Sequence, residues 1–331
     1  MIEKLEFDAL GTTLRSRPFH FLARVGFEAR SIEIIGRTPQ YEWTSFTYFV
    51  SKNRSEVAQK NVGAASSVKA LNCGDYELDT QDPIQVARQL YDGIHHFHDH
   101  ARGAPALLDI TSFRREELLI LLSLISSLPR NDVADWHLAY VGAKFMGEWL
   151  SGEVTEVRSV LGYPGEARPS KSTRLVILMG FEVSRARRII ESYEPKEIVL
   201  GMGRKADSIN DDLYARNKEL FDQLGREFKE SVESTFEFSA RDPVAVKQEL
   251  TNVIGDPTRA NLVIAPLHTK LSTIGAGLYG ASEPLAQICY ASVDEYNEAA
   301  YSAPGTDVYL IPLKDILEHH PTGGTGPELN P

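Results

Sequence analysis

The stretch "ELDTQDPIQVARQLYDGI" at residues 77–94 returns, altered but in register, as "EFSARDPVAVKQELTNVI" at residues 237–254. Aligned without a gap, the two share Glu77/Glu237, Asp82/Asp242, Pro83/Pro243, Val86/Val246, Leu90/Leu250 and Ile94/Ile254, each pair 160 residues apart. Asp before Pro starts a helix: the carboxylate accepts from free N–H groups of the first turn, and proline at the first helical position lacks an N–H that would have no partner there. A chain that writes this helix twice predicts an internal duplication, in which other landmarks recur in the same order.

They do recur. "VGFEARS" at 25–31 matches "MGFEVSR" at 179–185, so Gly26, Phe27 and Glu28 lie 154 residues before Gly180, Phe181 and Glu182. "PALLDITSFRREELLILLSL" at 105–124 occupies the place of "NLVIAPLHTKLSTIGAGL" at 261–278, and "HLAYV" at 137–141 parallels "QICYA" at 287–291, pairing Tyr140 with Tyr290. In the second copy, "RLVILMG" and "EIVLGMG" are continuous apolar runs, the pattern of strands buried on both faces, and segments of helical spacing stand between such runs. The first copy follows the same plan: strand 19–27, helix 30–37, strand 42–50, helix 54–67, the Asp-Pro helix from 83, strand "ALLDI", a long helix and a strand at 136–141. Alternating strands and helices predict an α/β fold of two duplicated Rossmann-like halves, each a mainly parallel sheet flanked by helices, arranged as a pseudo-two-fold pair. The halves fall at 1–162 and 173–314, with a Gly, Pro and Ser-rich linker at 163–172 and a C-terminal tail at 315–331.

A length of 331 residues suits two domains, and 42% hydrophobic residues supply their cores. The net charge of −11 is broken by no cationic block, which disfavours a long duplex nucleic-acid surface but leaves room for a small anion pocket. Cys73 and Cys289 are the two cysteines and form no Cys-x-x-Cys pair, a cytoplasmic pattern of use. The charged N-terminus does not read as a signal peptide, and no apolar run has the ~20 residues of a membrane span.

In an open parallel sheet, ligands bind beyond the carboxyl ends of the strands at the switch in strand order. Two pairs of loops are therefore candidates. The first pair follows strand one: Gly26, Glu28 and Arg30 in one half, Gly180 and Glu182 in the other. Neither has the spacing of a dinucleotide fingerprint or a phosphate loop, and the plainer reading is a glycine turn with an acid at the positive end of a helix. The second pair follows strand four: Asp109, Thr111, Ser112, Arg114 and Arg115, then His268, Thr269 and Lys270. Hydroxyls and cations at a helix N-terminus make an anion site; the alternative is that the hydroxyls only cap and the cations are solvated. Tyr290, with Tyr296 and Tyr301, adds a segment able to stack a base, the alternative being a packed loop. His96 and His100, four apart in "HHFHDH", share a helical face and are the candidate metal ligands, although the matching place in the second half, "GDPTRA", has none. No cofactor is indicated, and no serine elbow or activated cysteine signature marks a nucleophile.

"LLDITSFRREELL" and "APLHTKLSTIGAGL" resemble fragments of the fourth-strand motif of CARF domains: Asp109-Ile110-Thr111 matches its front and Thr269-Lys270 its rear, while neither half carries its paired glycines. Two such domains in one chain are similar to the SAVED arrangement of antiviral cyclic-oligonucleotide sensors. The resemblance implies a nucleotide-type ligand lying across the pseudo-two-fold, and a protein partner or effector subunit that receives the signal. A small-molecule enzyme acting on a nucleotide or phosphorylated metabolite in the same cleft, and a non-catalytic scaffold, are the alternative functions.

Overall fold

The computed structural model describes residues 2–7, 9–10, 18–37, 43–68 and 74–321. The remainder of the tail, 322–331, and Cys73 lie outside the described residues. Both Asp-Pro helices begin as the sequence predicts: one Asp82 carboxylate oxygen accepts from the N–H groups of Ile84 and Gln85, and one of Asp242 from those of Val244 and Ala245.

The chain forms two mixed sheets. Strands β1 (Glu3–Glu6), β2 (Phe19–Arg24), β3 (Trp43–Ser51), β4 (Gly74–Leu78), β5 (Ala106–Asp109), β6 (Trp136–Met146) and β13 (Ser302–Pro312) make a seven-stranded sheet. Strands β7 (Val154–Pro164), β8 (Thr173–Met179), β9 (Glu197–Gly203), β10 (Val232–Phe238), β11 (Asn261–Pro266) and β12 (Gln287–Val293) make a six-stranded one. The parallel part of the first runs β4-β3-β2-β5-β6, and that of the second β10-β9-β8-β11-β12. Strand for strand the connectivity is the same, with the switch in order between β2 and β5 and between β8 and β11.

Each parallel sheet is then extended by a strand that follows the other sheet in the chain. After β6 the backbone crosses over, and β7 pairs antiparallel with β12. After β12 it crosses back, and β13 pairs antiparallel with β6. Tyr163 and Pro164, at the start of the stretch read as a linker, thus end a strand of the second sheet.

Helices cover both faces of both sheets. On the first, α1 (Glu33–Arg37) and α2 (Glu56–Ser66) bury Ile34, Ile35 and Ala65 against one face, while α3 (Pro83–Ala101) and α4 (Arg115–Ser126) pack on the other. On the second, α5 (Val183–Tyr193) and α6 (Asp211–Glu227) take one face, and α7 (Pro243–Ile254) and α8 (Lys270–Ser282) the other. Short α9 (Leu313–Leu317) closes the first sheet's core. Helices α4 and α8 join the halves: Leu118, Leu119 and Leu122 share one apolar cluster with Leu271, Ile274 and Leu278. Because these are the helices that follow the fourth strands, packing them together brings their N-termini, and the loops before them, to one place.

Candidate functional site

At the carboxyl ends of β2 and β8 stand the two glutamates of the repeated Gly-Phe-Glu turn, each in a matching set of partners. Glu28 accepts from Arg30 Nη2 at 2.5 Å and from Ser302 Oγ at 3.1 Å. Glu182 accepts from Arg185 Nη1 at 3.1 Å and from Ser151 Oγ at 2.6 Å. The two serines belong to the crossing segments, Ser302 at the start of β13 and Ser151 ahead of β7, so each glutamate ties its own turn to a returning strand. Burial would raise the Glu182 carboxyl, but Arg185 and Arg115 hold it below the usual range. A Cβ at Gly180 would lie 2.1 Å from the Leu267 carbonyl oxygen, an approach that only glycine allows.

The fourth-strand loops divide the candidate residues between cavity-lining and buried positions. Asp109 is 2% exposed and turns inward; one carboxylate oxygen accepts from the Thr111 N–H at 2.9 Å and the other has no partner. Burial pushes this carboxyl up to about 7, against the Thr111 hydrogen bonds and the Arg30 charge. Thr111 is fully buried, and its hydroxyl accepts from the Val141 N–H at 2.9 Å. Neither side chain, nor Glu182, lines either of the two cavities described below; these three shape the loops from within. Thr269 caps α8 by accepting from the Ser272 N–H.

The first residues of α4 and α8 reach across the junction. Arg115 donates to Glu182 at 3.1 Å and to the carbonyls of Leu267 and His268 at 2.9 and 2.8 Å, so a guanidinium of the first half fixes the strand-four loop of the second. Lys270, its counterpart at the start of α8, makes no hydrogen bond or ion pair among the described residues. Burial and the neighbouring Arg115 push its ammonium down to about 7. Burial and Arg115 likewise hold the His268 imidazole down at about 4, and its Nδ1 has no partner.

Two cavities flank this junction and share Glu28, Arg115, Lys270 and Tyr301 as their common wall. The larger, about 220 Å³, lies at the carboxyl ends of β8, β9, β10 and β11, the switch point of the second sheet, and is closed by Arg30, Tyr140 and Gly142 of the first. It takes in Gly180, His268, Thr269 and Lys270 of the candidate residues. Four of its cations are neutralised: Lys4 by Asp307, Arg30 by Glu28, Arg115 by Glu182 and Arg204 by Glu249. Lys270 and Arg241 have no carboxylate among the described residues; the Arg241 guanidinium donates to the Ser208 carbonyl and lies over the Tyr309 ring. Phe181, Tyr214 and Tyr301 supply aromatic wall. The smaller cavity, about 90 Å³, lies at the corresponding edge of the first sheet and takes in Gly26, Ser112, Arg114 and Tyr290.

Arg185 and Arg241 were not among the residues singled out from sequence. Arg115 was, as a cation of the fourth-strand loop, and the repeat aligns it with Lys270 as the residue that opens the helix after strand four. Arg241 stands where the first copy has Gln81, so the repeat gives no signal for it.

Among the described residues no three His, Cys, Asp or Glu side chains converge as a metal ion requires. His96 Nδ1 shares a hydrogen bond with the Tyr76 hydroxyl at 2.7 Å, and His100 Nδ1 bonds the His96 carbonyl at 2.8 Å. Cys289 is buried, and desolvation pushes its thiol up to about 12. No helix among the described residues is long and apolar enough to cross a membrane. No protein-family model matches the chain, and no curated protein matches it.

Proposed function

We propose that this chain is a ligand-binding sensor or regulatory subunit that recognises a nucleotide-type anion in the larger cavity, between two halves related by duplication and a pseudo-two-fold axis. The observation that carries the reading is the pair Lys270 and Arg241: two cations without carboxylate partners on one cavity wall, in a protein whose net charge is −11. A half-buried cation without a counter-ion is poised for an anion, and a guanidinium adds directional donors for phosphate oxygens. Phe181, Tyr214 and Tyr301 offer ring faces to a base. The position, outside the carboxyl ends of parallel strands at a switch point, is where such sheets bind ligands.

The pseudo-two-fold is supported by the identical strand order, by the reciprocal crossing of β7 and β13, and by the matched surroundings of Glu28 and Glu182. Ligand binding that draws the halves together acts on α4, α8 and the crossing strands, the route by which a protein partner or effector subunit would read the bound state. The resemblance of the strand-four loops to CARF and SAVED proteins suggests a cyclic oligonucleotide as the ligand and antiviral defence, in the cytoplasm, as the setting.

A thermal-shift screen against mononucleotides and linear and cyclic oligonucleotides tests this reading. A ligand at a hundred times its dissociation constant stabilises the native state by ~2.7 kcal/mol, and a chain of this length then melts about 4 °C higher. Such a shift with the nucleotide recovered unchanged by chromatography supports the sensor. A chemically altered nucleotide would make the protein an enzyme, and no shift with any nucleotide removes the reading.

A further inference from the structure

The smaller cavity, in the first half, has a composition of its own. Glu117 is shared by Arg24, at 2.9 Å, and Arg114, at 3.9 Å. Glu182 is shared by Arg115 and Arg185, both at 3.1 Å. Four guanidiniums thus stand on its wall with two carboxylates between them. Of the other wall charges, Glu28 is held by Arg30 and Arg54 by Glu77, which leaves Glu298 to set against Lys270. The surplus is one to two positive charges in a confined space, two when Lys270 is protonated.

Residues of this wall carry buried polar atoms without partners. The Ser112 Oγ is buried with no hydrogen bond, and Arg185, 2% exposed, has no acceptor for its Nε. Arg114 is aimed by the Tyr296 ring, 5.2 Å from its guanidinium carbon. The surplus also registers on a neighbour: burial alone would raise the Tyr296 phenol, yet Arg114 and Arg185 bring it below the ordinary tyrosine value. A volume of about 90 Å³ holds a few water-sized groups. It has room for the oxygens of a tetrahedral oxyanion.

We infer that the smaller cavity is a second anion site, for a phosphoryl-sized anion, in which Arg114, Arg185 and Ser112 supply the donors. Charge-assisted hydrogen bonds from guanidiniums to an anion in a desolvated site are the strongest of their kind, and the unneutralised positive charge draws one in. The site stands independently of what the larger cavity binds.

Inorganic phosphate, titrated calorimetrically into the full chain, is the probe. Arg114→Gln alters the smaller cavity alone and Arg241→Gln the larger alone, and Ser112→Ala serves as a second, milder change to the smaller. The expected result is that the wild type binds phosphate with a component that Arg114→Gln weakens about tenfold or more, that Ser112→Ala weakens measurably, and that Arg241→Gln, which alters the larger cavity, does not remove. Absence of phosphate binding to the wild type, undiminished binding to both Arg114→Gln and Ser112→Ala, or a loss confined to Arg241→Gln overturns the inference. A protein that binds a nucleotide but not phosphate loses this site and keeps the nucleotide reading; one that binds phosphate but no nucleotide does the reverse.

Discussion

Replacing Arg115 with methionine tests the claim that one side chain locks the two halves. Methionine preserves most of the apolar stem and removes the guanidinium, whose bonds to Glu182, the Leu267 carbonyl and the His268 carbonyl measure 3.1, 2.9 and 2.8 Å. Breaking a buried ion pair costs about 3–5 kcal/mol. Glu182 keeps Arg185 and Ser151, so the lower end, about 3 kcal/mol, applies. Unfolding entropy of about 2.1 cal/mol/K per residue, over 331 residues, is about 0.7 kcal/mol/K. The expected drop in Tm is therefore about 4 °C. Arg187→Met is the control: its bonds to Glu227 are as short, 2.6 and 2.8 Å, but the side chains are 32% and 35% exposed. Water screens such a pair to under ~1 kcal/mol, or about 1 °C. Both variants and the wild type are melted by circular dichroism under one set of conditions. An Arg115→Met variant that melts no lower than Arg187→Met refutes the lock.

Three further outcomes are expected. The Asp109 carboxyl titrates near 7 when folded and near 3.8 otherwise, so the folded state holds the extra proton between those values; its contribution is complete below the lower value and lost as pH rises through the upper. Asp109→Asn has no proton to lose, so its stability relative to wild type improves by up to ~4 kcal/mol from about pH 4 to about pH 8; parallel urea-unfolding curves at both pH values contradict this. Gly180→Ala forces a Cβ to 2.1 Å from the Leu267 carbonyl and should destabilise strongly, whereas Gly63→Ala, with nothing within 4 Å in α2, should stabilise by about 0.5–1 kcal/mol; thermal melts that rank them the other way refute the packing argument. The Lys270 amine titrates near 7, so above that pH anion binding must take up a proton and affinity should fall by up to about tenfold per pH unit; calorimetry in two buffers of different ionisation enthalpy detects the uptake, and its absence at pH 8 excludes Lys270 from the contact.

What the sequence made legible was local. Asp82 and Asp242 announce their helices because a cap is decided within four residues, and the runs around Val176 and Val199 announce buried strands because both faces are apolar. The exchange of β7 and β13 was hidden. In β7 the apolar positions Val154, Val157, Val160 and Tyr163 fall three apart, which reads as helix; the strand adopts that spacing because its pairing with β12 shifts register between Gln287 and Cys289 and again between Ser292 and Val293. The candidate site was half legible. Repeated turns singled out Glu28 and Glu182, but nothing local says that Ser302 and Ser151 will come back to them. Asp109 and Thr111 read as ligand contacts because a polar residue after a strand commonly faces solvent, whereas here Asp109 satisfies the loop's own backbone and Thr111 that of the neighbouring strand β6.

Calorimetric titration of the nucleotide panel into the wild type and Lys270→Met is the most direct test of the central claim, that an anion of nucleotide type is held in the larger cavity. The account predicts that one nucleotide binds the wild type, leaves it chemically unchanged, and binds Lys270→Met at least about tenfold more weakly, the worth of one charge-assisted contact, while both proteins melt as folded. Equal affinity for the two proteins, or no binding to either, would contradict it.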